Sequence, residues 1–178
     1  MKKMLVLCGA SGSGKSYLED ELCSRYPQDF VSLLQYTTRP RRTGDDLDTY
    51  LFLNSNTDVE LMKRGGLKII GETEILGNLY GTFLNESIGE DTIQTVVLNR
   101  KGIDNLYKNP VVKDYSIKVV KILTSPDVEV VKRLGRSEDY YRQEIESLEG
   151  VEDLTLIRTS KGFKYPEVRK QILDLFKD

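Results

Sequence analysis

Gly9 Ala10 Ser11 Gly12 Ser13 Gly14 Lys15 Ser16 stands directly after an apolar run, Met4 to Cys8, and directly before a helix-forming segment that begins near Tyr17. Strand, loop and helix arrive in the order that a phosphate-binding loop requires, and the pattern G-x-x-x-x-G-K-[ST] has a mechanism. Glycines let the backbone curl until successive N–H groups point inward, and the following helix adds its positive N-terminal end. Such a nest holds an anionic phosphate chain, with Gly9, Ser11, Gly12, Ser13, Gly14, Lys15 and Ser16 as the binding set. Lys15 reaches the outer phosphates as a point charge, and Ser16 offers its hydroxyl to Mg2+. The loop therefore reads as a nucleoside triphosphate site.

Composition narrows what surrounds it. The 178 residues fit one domain with a substantial core. A net charge of −2 and a pI near 5.4 give no global reason to expect nucleic acid or an anionic membrane as partner. No apolar run has the length of a membrane span, and the glycine loop begins too early for Met1 Lys2 Lys3 and the run after it to be a signal peptide. Cys8 and Cys23 read as reduced core thiols in a cytosolic-type compartment. With no histidine anywhere in the chain, histidine acid–base chemistry and histidine metal ligands are excluded.

Beyond the loop the reading alternates helices and strands. Ser16 to Arg25 is a helix with Leu18 and Leu22 on one face, ended by Pro27, and Phe30 to Tyr36 is a strand. Thr37 to Asp46 carries Arg39, Arg41 and Arg42 beside Pro40 and Gly44, a loop of concentrated positive charge. Tyr50 to Leu53, Leu67 to Ile75 and, after a turn at Gly77 Asn78, Leu79 to Leu84 are short strands, with a helix over Thr57 to Arg64. Together they form a small β-rich insertion of the kind that carries a second substrate. Thr92 to Leu98 and Ser116 to Leu123 are buried parallel strands, separated by a short helix from Gly102 to Lys108. Ser125 Pro126 Asp127 opens a helix with Val128, Val131 and Leu134 inward. A charged stretch, Arg133 to Arg142, then runs into a polar helix to Leu148 that can act as a cover; Leu154 to Ile157 is a last strand and Tyr165 to Phe176 an amphipathic helix.

In this order (phosphate loop, arginine-rich loop, Gly77 Asn78 Leu79 Tyr80 Gly81 Thr82, then Arg133 Leu134 Gly135 Arg136) the chain resembles a guanylate kinase over nearly its whole length. Thr37, Thr38, Arg39, Arg42, Gly44 and Asp45 match that family's Thr-Thr-Arg-x-x-Arg followed by Gly and an acid, and Leu79 replaces one tyrosine of its Gly-Asn-Tyr-Tyr-Gly-Thr. The resemblance implies an α/β fold: a three-layer P-loop NTPase core with a parallel sheet (residues 1–34, 92–132 and 150–178), an acceptor-binding insertion over about 35–90 and a helical lid over about 133–149. It also implies transfer of the γ-phosphoryl of ATP, with Mg2+, to a nucleoside or deoxynucleoside monophosphate, GMP or dGMP first. Arg39, Arg42, Tyr50 and Tyr80 would grip the acceptor phosphate, since guanidinium groups bind phosphate oxygens bidentately and phenols complete the hydrogen bonding. Thr82, Gln35, Glu72 and Asn99 would complete the acceptor site. Lys15 and the lid arginines Arg136, Arg142 and Arg133 would neutralise the transferring group.

Some positions depart from the family pattern. The acid expected six residues before Gly77 falls on Gly71 with Glu72 beside it; a one-residue bulge brings Glu72 back, whereas a plain slip by one turns it to the other face. Gln35 stands where a serine is usual, Val97 and Asn99 replace two carboxylates, and Arg158 Thr159 occupies the place of an asparagine near the donor base. Expected partners are nucleotide substrates, with no nucleic acid, membrane or obligate protein partner, and a cytoplasmic location. Two other readings keep the fold: a kinase for another phosphorylated small molecule, such as a sugar phosphate, and a non-catalytic binding module.

Overall fold

The computed structural model describes residues 1–42, 50–125 and 138–177. In chain order the elements are β1 (Lys2–Gly9), α1 (Lys15–Arg25), β2 (Phe30–Ser32), β3 (Gln35–Thr37), β4 (Tyr50–Phe52), α2 (Asn56–Arg64), β5 (Ile69–Ile75), β6 (Asn78–Phe83), β7 (Ile93–Val97), α3 (Arg100–Lys108), β8 (Tyr115–Thr124), α4 (Glu138–Ser147), β9 (Leu154–Arg158) and α5 (Tyr165–Leu175). The chain divides into two compact units, Met1–Ser32 with Glu90–Arg100 and Tyr115–Asp178, and Leu33–Gly89 with Lys101–Asp114. Residues 101–114, which the sequence reading counts within the core, fall in the second of these.

The first unit is built on a five-stranded sheet, order β2-β7-β1-β8-β9, with every neighbouring pair parallel. Met4 through Cys8 of β1 are fully buried, so both faces of this central strand are covered, as a parallel strand of continuous apolar sequence requires. On one face Leu5 and Leu7 pack in a cluster with Leu18 and Leu22 of α1 and Val168 and Ile172 of α5. Each such side chain contributes roughly 1.5–3 kcal/mol of burial. The stripes read from the sequence are thus the ones that face the sheet. Arg169 of α5 adds an ion pair to Asp29 at 2.6 Å.

One apolar run conceals a division. Phe30 to Tyr36, read as a single strand, is two: Phe30–Ser32 pairs with β7 in the first sheet, and Gln35–Thr37 pairs with β4 and β6 in the second. Both pieces have strand-type residues throughout, so nothing local records that the hydrogen-bonding partner changes at Leu33 and Leu34.

The second unit holds a four-stranded sheet, order β4-β3-β6-β5, with β3 and β4 parallel and the other pairs antiparallel. The turn between β5 and β6 is Leu76–Gly77 rather than Gly77–Asn78, because Asn78 already pairs with Ile75; both turn residues have positive φ, as a tight two-residue hairpin demands. Edge strand β5 carries an irregularity. Ile70 pairs with Thr82 and Thr73 with Tyr80, so Gly71 and Glu72 together oppose Gly81 alone. Gly71 has φ 59°, the left-handed conformation that a bulge of this type assigns to glycine. From α3, Asn105 Nδ2 donates to the Glu72 carbonyl at 2.7 Å, and Asn109 Nδ2 just beyond it donates to the Ile69 carbonyl at 2.9 Å. These amides satisfy the carbonyl of one bulge residue and that of Ile69 just before the bulge.

Candidate functional site

In the first unit the loop leaves β1 at Gly9, where the chain order of neighbouring strands reverses around β1, the usual position for a ligand in an open parallel sheet. A Cβ at Gly9 would stand 2.7 Å from the Ile122 carbonyl oxygen and 2.7 Å from Ser13 Oγ, so only glycine lets the loop turn so close to β8. Ser13 N donates to Ala10 O at 3.0 Å, Leu18 N to Gly14 O at 2.9 Å, and Lys15 Nζ folds back onto Ala10 O at 3.3 Å. The cation is thereby held within the curve of the loop. Ser16 is exposed in the first turn of α1, where its hydroxyl is accessible to a cation. Among the described residues there is no cluster of three acidic or thiol side chains that could hold a metal by itself. A single exposed hydroxyl fits Mg2+ that arrives coordinated by nucleotide phosphates, the mode in which this ion keeps most of its ligands as phosphate and water.

Two side chains at the loop are placed there by the fold rather than by nearby sequence. Glu144 of α4 takes both hydrogen bonds that Ser11 offers, from the backbone N–H at 2.9 Å and from Oγ at 3.2 Å. A carboxylate thus occupies one rim of the phosphate loop. Arg158, at the C-terminal end of β9, lies against Gly14: a Cβ there would be 2.8 Å from its Nη1 and 3.1 Å from its Cδ. Ser11 and Glu144 are 133 residues apart, a separation that no local sequence pattern spans.

Of the lid arginines, Arg133 and Arg136 lie outside the described residues, as do Gly44, Asp45 and the expected helix over Val128, Val131 and Leu134. Arg142 is exposed on α4 and ion-paired to Asp139, a surface pair of the kind that contributes no more than about 1 kcal/mol and opens readily. Asn99 is exposed just past the end of β7, in the first unit.

The remaining expected acceptor residues sit in the second unit. Arg39 is half-buried, with its guanidinium 5.8 Å from the Tyr50 ring centre and 5.4 Å from that of Phe52; Arg41 is 5.1 Å from Phe52. The basic loop is therefore stacked on the aromatic edge strand β4, and Arg42 is exposed beside it. Cross-strand pairing puts Gln35, Thr37, Tyr80 and Thr82 on one face of the sheet, where Gln35 Nε2 donates to Thr82 Oγ1 at 3.3 Å. The same face carries Ile70 opposite Thr82 and Thr73 opposite Tyr80.

Glu72 is elsewhere. The bulge exists, yet its carboxylate lies on the opposite face, accepting from the buried Tyr36 hydroxyl at 2.5 Å and from Lys63 Nζ at 3.0 Å. Burial first, and the Glu72 bond second, push the Tyr36 phenol well above its ordinary range, so it remains a neutral donor. Ile70, not Glu72, is the neighbour of Thr82.

A parallel sheet, a glycine loop at the reversal of strand order and a separate sheet-rich unit bearing stacked arginines together define a P-loop phosphotransferase architecture. The sequence model of the guanylate kinase family matches residues 1–152. A guanylate kinase of Streptococcus mutans is 30% identical over 170 residues, covering 87% of this chain and 74% of that protein. One from Trichormus variabilis is 35% identical over 80 residues, covering 45% of this chain and 39% of that protein, so the chain spans about two-fifths of that relative's length. The crystal structure of guanylate kinase from Anaplasma phagocytophilum matches 98% of this chain and 84% of its own with a TM-score of 0.65 at 19% identity, a likeness of fold. The chain belongs to the guanylate kinase family.

Proposed function

We propose that this chain is a nucleoside monophosphate kinase that passes the γ-phosphoryl of ATP to GMP or dGMP. The observation that carries the reading is the intact loop from Gly9 to Ser16, closed against β8 at a glycine and holding the Lys15 ammonium within its curve. The backbone N–H groups of that loop and the N-terminus of α1 hold the donor phosphates, and Lys15 neutralises charge on the outer ones. Mg2+, coordinated by the nucleotide with Ser16 at its side, supplies further charge neutralisation when bound. Arg39, Arg42, Tyr50 and Tyr80 hold the acceptor phosphate, with Gln35 and Thr82 beside them. Arg142, released from Asp139, and Arg133 and Arg136 serve the transferring group. Asn99 joins the acceptor set by resemblance, and Glu72 joins it only by leaving Tyr36 and Lys63. The protein's part in such a transfer is to position and neutralise, so the absence of histidine is no obstacle. No helix among the described residues is long and apolar enough to cross a membrane, and the reading adds a cytoplasmic location.

A coupled assay with ATP, Mg2+ and a panel of ribo- and deoxynucleoside monophosphates tests this. ADP formation with GMP or dGMP is expected; none above background with any acceptor contradicts it. A second reading, phosphorylation of a phosphorylated small molecule without guanine, is favoured by one feature: the neighbour of Thr82 is the apolar Ile70 rather than a carboxylate. Turnover with such an acceptor and none with GMP decides for it. A non-catalytic module, the third reading, would bind ATP weakly, which the preserved loop opposes.

A further inference from the structure

We infer that Arg158 is a donor-binding residue, its guanidinium engaging a phosphate of ATP that stays on the nucleotide after transfer. The inference rests on reading the glycine loop as the ATP site and adds to it a contact that the loop motif does not contain.

Three observations carry it. First, Arg158 stands on the same face of β9 as the buried Leu156, which belongs to the core cluster shared with Leu18 and Leu22 of α1 and Val168 and Ile172 of α5, so its stem continues an apolar surface up to the strand's C-terminal end. There it emerges beside the start of α1, with Nη1 2.8 Å and Cδ 3.1 Å from the place where a Gly14 Cβ would be. Gly14 is the residue that caps α1, one before Lys15. Second, the side chain is half-buried and has no hydrogen bond or ion pair among the described residues, in a chain with 28 acidic and 26 basic residues where Arg25, Arg142 and Arg169 all have carboxylate partners. Third, the place is electrostatically wrong for a lone cation. The N-terminus of a helix carries roughly half a positive charge, and Lys15 is next to it. A guanidinium held against that end is repelled by it, and an anion placed between them turns the repulsion into attraction. A surface arginine with no such role is free to swing toward solvent or an acid; this one packs on the loop backbone.

The phosphate it meets follows from the two rims of the loop. Glu144 lies on the Ser11 rim and Arg158 on the Gly14 rim at the start of α1. A carboxylate repels the phosphate chain, so the guanidinium rim is the one suited to the phosphates shared by ATP and ADP. A planar guanidinium can take two phosphate oxygens at once, and lysine cannot reproduce that geometry.

The test is equilibrium binding of ATP and of ADP to the wild-type chain, Arg158→Met and Arg158→Lys, with melting temperatures alongside. Methionine keeps the apolar stem and removes the charge. Arg158→Met is expected to weaken ATP and ADP alike by about tenfold or more, Arg158→Lys by less, with GMP affinity and melting temperature unchanged. Unchanged ATP affinity in Arg158→Met overturns the inference while leaving the donor site intact. Loss for ATP alone overturns the assignment to a retained phosphate. A fall in melting temperature with equal loss of GMP binding shows a structural role and overturns it too. Failure of the wild-type chain to bind either nucleotide overturns both this inference and the reading on which it rests.

Discussion

The two units differ in how their functional parts are held. In the first, the proposed phosphate grip is one continuous stretch of eight residues, shaped by its own glycines and closed by its own backbone bonds. In the second, the expected acceptor residues come from β3, the basic loop, β4 and β6, and their mutual placement depends on a bulged edge strand held by the amides of Asn105 and Asn109. A backbone nest tolerates substitution of most side chains around it. A side-chain constellation on a small sheet depends on register, and the bulge at Gly71 sets Glu72 opposite Gly81, on the Tyr36 face rather than the face of Tyr80 and Thr82.

The contrast can be broken at its strongest point first. Lys15→Ala removes the only side-chain charge that belongs to the loop itself, and turnover is expected to fall by about 100- to 1,000-fold with acceptor affinity little changed. A loss under tenfold in an ADP-formation assay would mean that the loop alone does not carry donor chemistry.

Next in size is a pH effect in the first unit. Glu19 of α1 is buried, with Thr95 Oγ1 donating to it at 2.6 Å, and burial pushes its carboxyl from an ordinary 4.5 up to about 7. The folded chain then keeps a proton that the unfolded chain releases between these values. The stability so contributed is complete below pH 4.5 and is lost as pH rises through 7, on the order of 3 kcal/mol across the window. Denaturant titrations should show Glu19→Gln flattening that dependence and exceeding wild type at pH 8. An unchanged slope removes Glu19 as its source.

In the second unit, Asn105→Ala strips the donor from the Glu72 carbonyl and should lower unfolding free energy by about 1 kcal/mol, with ATP affinity intact. If ATP binding falls instead, the role of Asn105 is not confined to the second unit. The smallest effect is expected at Glu144. Its carboxylate competes for the Ser11 donors that face an incoming anion, so Glu144→Ala should tighten ATP binding by a few-fold, read by calorimetry. Weaker binding would show that Glu144 supports the nucleotide rather than excluding it.

Much of this was legible from residue order. The run Met4 to Cys8, the loop, the leucine stripe of α1 and the Val168–Ile172 stripe of α5 are local patterns with periods of a strand or a helix, and each forms the expected element. What sequence does not encode locally is the choice of partner. Phe30 to Tyr36 looks uniform but feeds two sheets, the hairpin turn sits one residue earlier than its Gly-Asn signal, and the side that Glu72 faces depends on a bulge whose consequence only cross-strand pairing reveals. Glu144 and Arg158 reach the loop from α4 and β9, more than 130 residues along the chain, through tertiary packing that no short motif records.

The most direct test of the division into a donor loop and an acceptor surface is a pair of calorimetric titrations, ATP and GMP, into wild type, Lys15→Ala and Arg42→Ala. A crossed pattern is expected: Lys15→Ala weakens ATP and spares GMP, and Arg42→Ala weakens GMP by about tenfold and spares ATP. If Arg42→Ala leaves GMP affinity unchanged, the arginine loop is no more than a solvated basic turn and the second unit is not the acceptor surface.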